Sequence, residues 1–270
     1  MTSYTKASGP RVTTRTLQRS RDDGDRISML TAYDFPTARI LDEAGIDVLL
    51  VGDSLGMVVQ GRETTLQVTM DQMIYHAEMV GRAAKRAMVV VDLPFPEGQL
   101  EISRSQLASA RVLKETDCHA VKLEGGAEQA HRIEAIVTAG IPVMAHVGLR
   151  PQNVHVDGGY RVQRDTERLI ADAKAAESAG AFCVLIECVP AEVGAAITAA
   201  VSVPTIGIGA GPDVTGQVLV THDLIGFHSG YLPKFVRQFA DIRTSIGQAA
   251  KDYAEAIQQG DFPGDSETFQ

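Results

Sequence analysis

The sequence has little that would tie it to a bilayer, an oxidised framework or a polyanion. No apolar stretch approaches the ~20 residues needed to cross a membrane, and the N-terminus carries charges without the apolar h-region of a secretory leader. Neither a membrane nor a leader is therefore expected. Cysteines number only three, Cys118, Cys183 and Cys188. An odd count without framework spacing points to reduced thiols and a cytoplasmic location. Basic residues are outnumbered, 25 Lys and Arg against 34 Asp and Glu, for a net charge of −9. That argues against a nucleic-acid binder, which usually carries a basic face. Small anionic substrates remain open, because a local cation or a metal overrides the global field.

What is present is a rhythm. The 270 residues, 44% hydrophobic and 22% charged, are ordinary for a globular protein. Eight short apolar runs alternate with stretches of helical period. The runs are Ile27–Asp34, Val48–Ser54, Met88–Pro94, Ala120–Gly126, Pro142–Leu149, Phe182–Val189, Pro204–Gly211 and Gln217–Asp223. Helical segments are predicted over Pro36–Ala44, Met70–Arg86, Ser103–Glu115, Glu128–Ala139, Glu167–Ala179 and Ala191–Ala200, with a last one at about Lys234–Gln258. The link between runs seven and eight is too short for a proper helix. Gly45, Gly140 and Gly180 stand where helices should end, and Pro36 and Pro190 where helices should begin. Runs buried on both faces between helices indicate a parallel sheet, and eight of them a closed (β/α)₈ TIM barrel, α/β in class and a single domain. The barrel is expected over residues 26–259, with a flexible arm over 1–25 and a tail over 260–270.

In such barrels the active site lies at the C-terminal ends of the strands, so the polar residues ending each run are informative. Runs two to six carry Asp53, Asp92, Lys122 with Glu124, His146 and Glu187. Each acid taken alone could cap the next helix. Three acids on neighbouring strands, Asp53, Asp92 and Glu124, instead point to a divalent cation, which removes the penalty for gathering carboxylates. Oxygen donors favour Mg²⁺ or Mn²⁺ over Zn²⁺. Lys122 and Glu124, two apart in a strand, face the same side. Lys122 would either neutralise a substrate carboxylate or close a salt bridge in the barrel mouth. Glu187 ends the apolar Phe182-Cys183-Val184-Leu185-Ile186, which should raise its pKa toward neutrality and suit it as a general base; the alternative is an ion-paired core residue. His146 would bind substrate or be a satisfied core histidine. The glycines of Gly207–Gly211 would cradle a phosphate or let the backbone pack tightly against a substrate.

Ala32-Tyr33-Asp34, Val51-Gly52-Asp53-Ser54-Leu55-Gly56-Met57, Ala120-Val121-Lys122-Leu123-Glu124-Gly125-Gly126 and Pro204-Thr205-Ile206-Gly207-Ile208-Gly209-Ala210-Gly211 closely resemble the 3-methyl-2-oxobutanoate hydroxymethyltransferase family. The likeness extends to Gly140-Ile141-Pro142-Val143 and Gly180-Ala181-Phe182, and runs from about Ile27 to about Ala240. It implies a (β/α)₈ barrel that makes ketopantoate for pantothenate synthesis by Mg-stabilised enolate formation. It also implies Mg²⁺, 5,10-methylenetetrahydrofolate as co-substrate and a homodecamer. By position, Asp53 and Asp92 match direct metal ligands and Glu124 the third metal-site acid. Asp53, Ser54, Asp92 and Lys122 match substrate-binding positions, and Glu187 the proton acceptor. The chain departs from the family at Pro96-Glu97-Gly98, at Arg164 and at Thr215, all expected in loops at or near the substrate face. These departures leave open another keto acid and a divergent paralogue. A folate-independent enolate enzyme of the phosphoenolpyruvate mutase and isocitrate lyase kind is the rival reading. A non-catalytic barrel would have lost part of the acid set.

Overall fold

The structure is a computed structural model, and it describes residues 9–227, 230 and 232–269. The chain divides into two compact units, Met1–Val220 and Thr221–Gln270.

The first unit holds a closed barrel of eight parallel strands in sequence order. They are β1 (Ile27–Thr31), β2 (Val48–Val51), β3 (Met88–Asp92), β4 (Ala120–Glu124), β5 (Val143–Gly148), β6 (Cys183–Glu187), β7 (Thr205–Ile208) and β8 (Gly216–Leu219). Pairing of Ile27 with Gly216 and of Met29 with Val218 joins β1 to β8 and closes the ring. Interleaved are helices α1 (Thr14–Asp23), α2 (Phe35–Glu43), α3 (Leu55–Val58), α4 (Met70–Ala83), α5 (Ile102–Glu115), α6 (Ala130–Thr138), α7 (Thr166–Ser178) and α8 (Ala191–Ala200). The (β/α)₈ expectation holds, including the helix-free link between β7 and β8. Gly45, Gly140 and Gly180 follow α2, α6 and α7 with positive φ, as helix-terminating glycines do.

Alternate strand residues face opposite sides of the sheet, and the two sets fill two kinds of core. Met29, Val48, Leu50, Met88, Val90, Ala120, Met144, Cys183, Leu185, Ile206 and Val218 pack together inside the barrel. Their neighbours Leu49, Val51, Val89, Val91, Val121 and Leu123 pack outward with helix residues such as Met73, Val112 and Ile133. Val184 and Ile186 do the same against Leu169 and Ile197. A buried branched side chain contributes about 1.5–3 kcal/mol, so this parity is strongly enforced.

The stretch expected as a flexible arm contains α1. Thr13 and Thr16 exchange side-chain and backbone hydrogen bonds at its start, a capping box. Val12 and Leu17 are buried and join the barrel-interior cluster. Two apolar anchors on an otherwise polar segment leave no periodic signal, which is why the helix was not predicted.

The second unit holds α9 (Thr221–Leu224) and α10 (Ile242–Gln259); the amides of Phe239, just before α10, and of Ile242, its first residue, donate to the carbonyls of Leu224 and Ile225. The predicted segment at about Lys234–Gln258 starts later, at Ile242, because Asp241 accepts from the Thr244 amide and caps the helix there. His222 and Asp223, read as the end of strand eight, lie in α9 instead.

Candidate active site

The inward parity of the barrel continues one step past the apolar layers, and the apolar side chains give way to ionisable ones. Met88 and Val90 are followed by Asp92, Ala120 by Lys122 and Glu124, Met144 by His146, and Cys183 and Leu185 by Glu187. The register pairs Asp92 with Lys122, Glu124 with His146, and Gly148 with Glu187 across adjoining strands. All sit at the C-terminal rim. Asp53 and Ser54 join them from the turn that leaves β2 for α3.

The predicted residues do converge. Lys122 Nζ lies 3.0 Å from Asp92 Oδ1 in a buried ion pair. It also lies 3.1 Å from His146 Nδ1. The backbone N–H of Asp53 donates to Asp92 Oδ2 at 3.0 Å. His146 Nδ1 is 3.8 Å from Glu124 Oε1, and its Nε2 is 3.3 Å from Glu187 Oε2. A lysine ammonium only donates, so Nδ1 must accept and the proton must sit on Nε2, facing Glu187. Burial and the Lys122 charge hold His146 well below the ordinary imidazole pKa, so it stays neutral.

The acids crowd one cation. Burial, then the nearby Asp92 charge, pushes Asp53 up to about 7, against a lowering by Lys122. Glu124 is raised well above its usual range, chiefly by burial. Burial also pushes Glu187 up to about 7, as its apolar strand predicts. Burial opposes the Lys122 charge, but Asp92, Glu124 and Asp53 overcome it and raise its pKa.

Sequence reasoning passed over two neutral polar side chains here. The Tyr33 hydroxyl shares a 2.8 Å hydrogen bond with Ser54 Oγ, and burial raises its pKa. Gln152, buried in the loop after β5, donates from Nε2 to Asp53 Oδ2 at 2.8 Å and to the Leu93 carbonyl at 3.0 Å. Gln152 is neutral and lies outside the apolar runs, so strand patterning could not flag it; Tyr33 stands at the end of run one, but an uncharged phenol there carries no signal of its own.

These residues suit a hard divalent cation. One oxygen of each acid is held by an N–H, while Glu124 Oε1 and Asp92 Oδ1 are buried without an aligned donor. Among the described residues no group of three or more His, Cys, Asp or Glu side chains stands ready to hold a metal ion by itself. A hard cation here would draw on one or two of these carboxylates and complete its shell with water or substrate oxygens. Two open surface hollows, of about 470 and 790 Å³, contain none of these residues.

Two of the three family departures fall in loops on the expected side of the barrel, and one does not. Pro96-Glu97-Gly98 follows β3 at the site rim, where Glu97 pairs with Arg104 at 2.7 Å and its carbonyl accepts from Ser105. Arg164 is exposed in the loop between β5 and α7. Thr215 is not near the site rim. It precedes β8 at the opposite end of the barrel, where its amide donates to Thr205 Oγ1 and its hydroxyl accepts from the Thr205 amide. The Gly207–Gly211 loop is packed against protein. A side chain at Gly207 would press on Val214 and one at Gly211 on Ala191, so close packing against protein accounts for these two glycines.

Fold and site together define a (β/α)₈-barrel enzyme with an acid-rich centre at the C-terminal rim of its strands. The family model for ketopantoate hydroxymethyltransferase matches residues 11–265. A 3-methyl-2-oxobutanoate hydroxymethyltransferase of Rhodopirellula baltica is 74% identical over 260 residues, covering 96% of this chain and 97% of its own. One of Desulforapulum autotrophicum is 54% identical over 260 residues, covering 96% and 99%. The chain belongs to the ketopantoate hydroxymethyltransferase family. In fold it is similar to a phosphonopyruvate hydrolase solved with oxalate and Mg²⁺, with a TM-score of 0.64 at 15% identity over 95% of this chain and 91% of that one. A 2,3-dimethylmalate lyase gives 0.60 at 17%, over 95% and 91%.

Proposed function

We propose that the chain transfers a hydroxymethyl group from 5,10-methylenetetrahydrofolate to 3-methyl-2-oxobutanoate, forming ketopantoate. The observation that carries this reading is the convergence of three oxygen-donor acids, one buried lysine and one desolvated glutamate on a single rim. Asp53 and Asp92 would hold Mg²⁺ directly, with Glu124 as the third acid of the site. When bound, the ion would supply Lewis-acid polarisation of the keto acid.

The chain's own groups account for the rest. Lys122 places a positive charge where the substrate carboxylate must lie, and Ser54 offers a hydroxyl beside it. Glu187 takes the proton from the carbon next to the carbonyl. Its carboxyl, pushed up to about 7, is basic enough to accept that proton and ionised enough to do so near neutral pH. His146 Nε2 stands 3.3 Å from Glu187 Oε2 without hydrogen-bond alignment, close enough to direct its N–H at the base once substrate draws the two together. The carbon left behind then forms its bond to the one-carbon unit, the carbon–nitrogen bonds of that unit to the folate break, a water supplies the hydroxyl oxygen, and tetrahydrofolate leaves.

A homodecamer in the cytoplasm completes the reading. Self-association is supported by large apolar side chains left exposed on helices, among them Ile40, Tyr75, Leu107 and Tyr253. Reduced thiols support the location, and among the described residues no helix is long and apolar enough to cross a membrane.

The test is an assay of 3-methyl-2-oxobutanoate with Mg²⁺, with and without methylenetetrahydrofolate, reading hydroxymethylated product by mass. Product only when the folate is present supports the reading. Turnover of the keto acid without folate refutes it in favour of a folate-independent enolate enzyme.

A further inference from the structure

Each of the three acids has one carboxylate oxygen engaged by an N–H; the other faces Lys122 in Asp92 and accepts no hydrogen bond in Asp53 and Glu124. For Asp92 the engaged oxygen is Oδ2, held by the backbone of Asp53. For the other two, a single residue does the holding. Gln152 donates its backbone N–H to Glu124 Oε2 at 3.1 Å and its side-chain amide to Asp53 Oδ2 at 2.8 Å. The second amide proton goes to the Leu93 carbonyl. The amide oxygen accepts from Gln99 Nε2 at 2.5 Å. Both amide protons and the carbonyl are therefore used. The flipped amide would set its oxygen against a carboxylate and a carbonyl, so the orientation is fixed.

Gln152 is only 5% exposed, and it ties together groups following or ending three consecutive strands: Asp53, Leu93 and Glu124. We propose that Gln152 is a positioning residue of the metal centre. It turns one oxygen of Asp53 and one of Glu124 away from the cavity and so presents Asp53 Oδ1 and Glu124 Oε1 to the ion. Glu124 Oε1 is indeed buried without a donor. Among the described residues Asp53 Oδ1 accepts no hydrogen bond. Gln99 in turn fixes Gln152. It directly follows Pro96-Glu97-Gly98, and its carbonyl accepts from Arg132 of α6 at 2.8 Å. The rim loop where this chain departs from its family thus reaches the acids through two glutamines. Partners of this outer kind commonly account for ~10–100-fold in metal affinity.

This inference rests on the metal reading above, and the experiment separates the two. Metal-free protein is titrated with Mn²⁺ alone, and free ion is followed by electron paramagnetic resonance. Gln152→Met keeps the length of the side chain and removes its amide. It is expected to weaken Mn²⁺ binding ~10-fold or more in a protein that melts cooperatively. In an Asp53→Ala background the same change should have little further effect, because the carboxylate it holds is gone. Excess metal should restore turnover in Gln152→Met, which a general loss of structure would not allow. Gln99→Met, which leaves the acids and Gln152 in place, should weaken binding several-fold and keeps the idea testable if the first variant does not fold. Wild-type affinity in folded Gln152→Met, or in Gln99→Met where Gln152→Met does not fold, overturns the role of Gln152. Wild type that takes up no Mn²⁺ ends the metal reading as well.

Discussion

Lys122 and Asp92 form an ion pair sealed inside the barrel mouth, 3.0 Å from Nζ to Oδ1, with side chains 6% and 5% exposed. Such a pair adds little net stability while intact, because desolvation offsets attraction, but removing one partner costs about 3–5 kcal/mol. Lys122 also faces the charges of Glu124 and Asp53, so it compensates more than one acid.

Lys122→Met should therefore lower the melting temperature of the metal-free protein, with a loss of about 3–5 kcal/mol. The raised lysine pKa marks a cation stabilised in the folded state, so that contribution is present at neutral pH. With the cation gone, the acids can relieve repulsion only by taking protons. The deficit should be largest above pH 7 and shrink toward pH 5. Melting curves of both proteins across that range provide the check, and a constant deficit would contradict the argument.

Asp92→Ala should cost metal affinity and also strand Lys122 as a buried unpaired charge. Both effects are expected, a weaker Mg²⁺ titration and a lower melting temperature. An unchanged Mg²⁺ titration removes Asp92 from the set of ligands.

Glu187→Gln should keep metal and keto-acid binding but lose deuterium exchange at the substrate's C3 by ~10²–10⁴-fold. In wild type the exchange rate should rise with pH and level off above about 7, because the active form is the carboxylate and its pKa is pushed up to about 7. A rate that falls across that range, or exchange that persists in the variant, assigns the proton transfer to another group.

Gly148→Ala tests how the base is held. Gly148 ends β5 at φ +98, and a side chain there would overlap the Glu187 carbonyl. That carbonyl also accepts from the Leu149 amide at 2.9 Å. The substitution should destabilise by more than about 1 kcal/mol and slow C3 exchange more than it weakens metal binding. Equal exchange rates in the two proteins would show that β6 tolerates the shift.

How much of this could be read from the chain alone depends on what each residue leaves in a linear pattern. The barrel was legible because burial on both strand faces makes apolar runs such as Met88–Val91 conspicuous. Most of the site was legible for the same reason, since a charge ending such a run stands out, as at Asp92 or Glu187. Gln152 and Tyr33 left no such mark. Gln152 is neutral and lies in a loop, and its importance comes from touching groups 28 and 99 positions away. The α1 helix was illegible because two buried residues, Val12 and Leu17, are too few to set a period. Thr215 was placed at the wrong rim because the link after run seven was read as a substrate-face loop throughout, whereas its end already lies at the start of β8, at the far end of the barrel.

Val12 and Leu17 extend the apolar layers that fill the barrel beneath the acids. Anything bound at the acid rim would therefore come and go on the C-terminal side of the strands, and of two molecules stacked there the inner one would have to be admitted first.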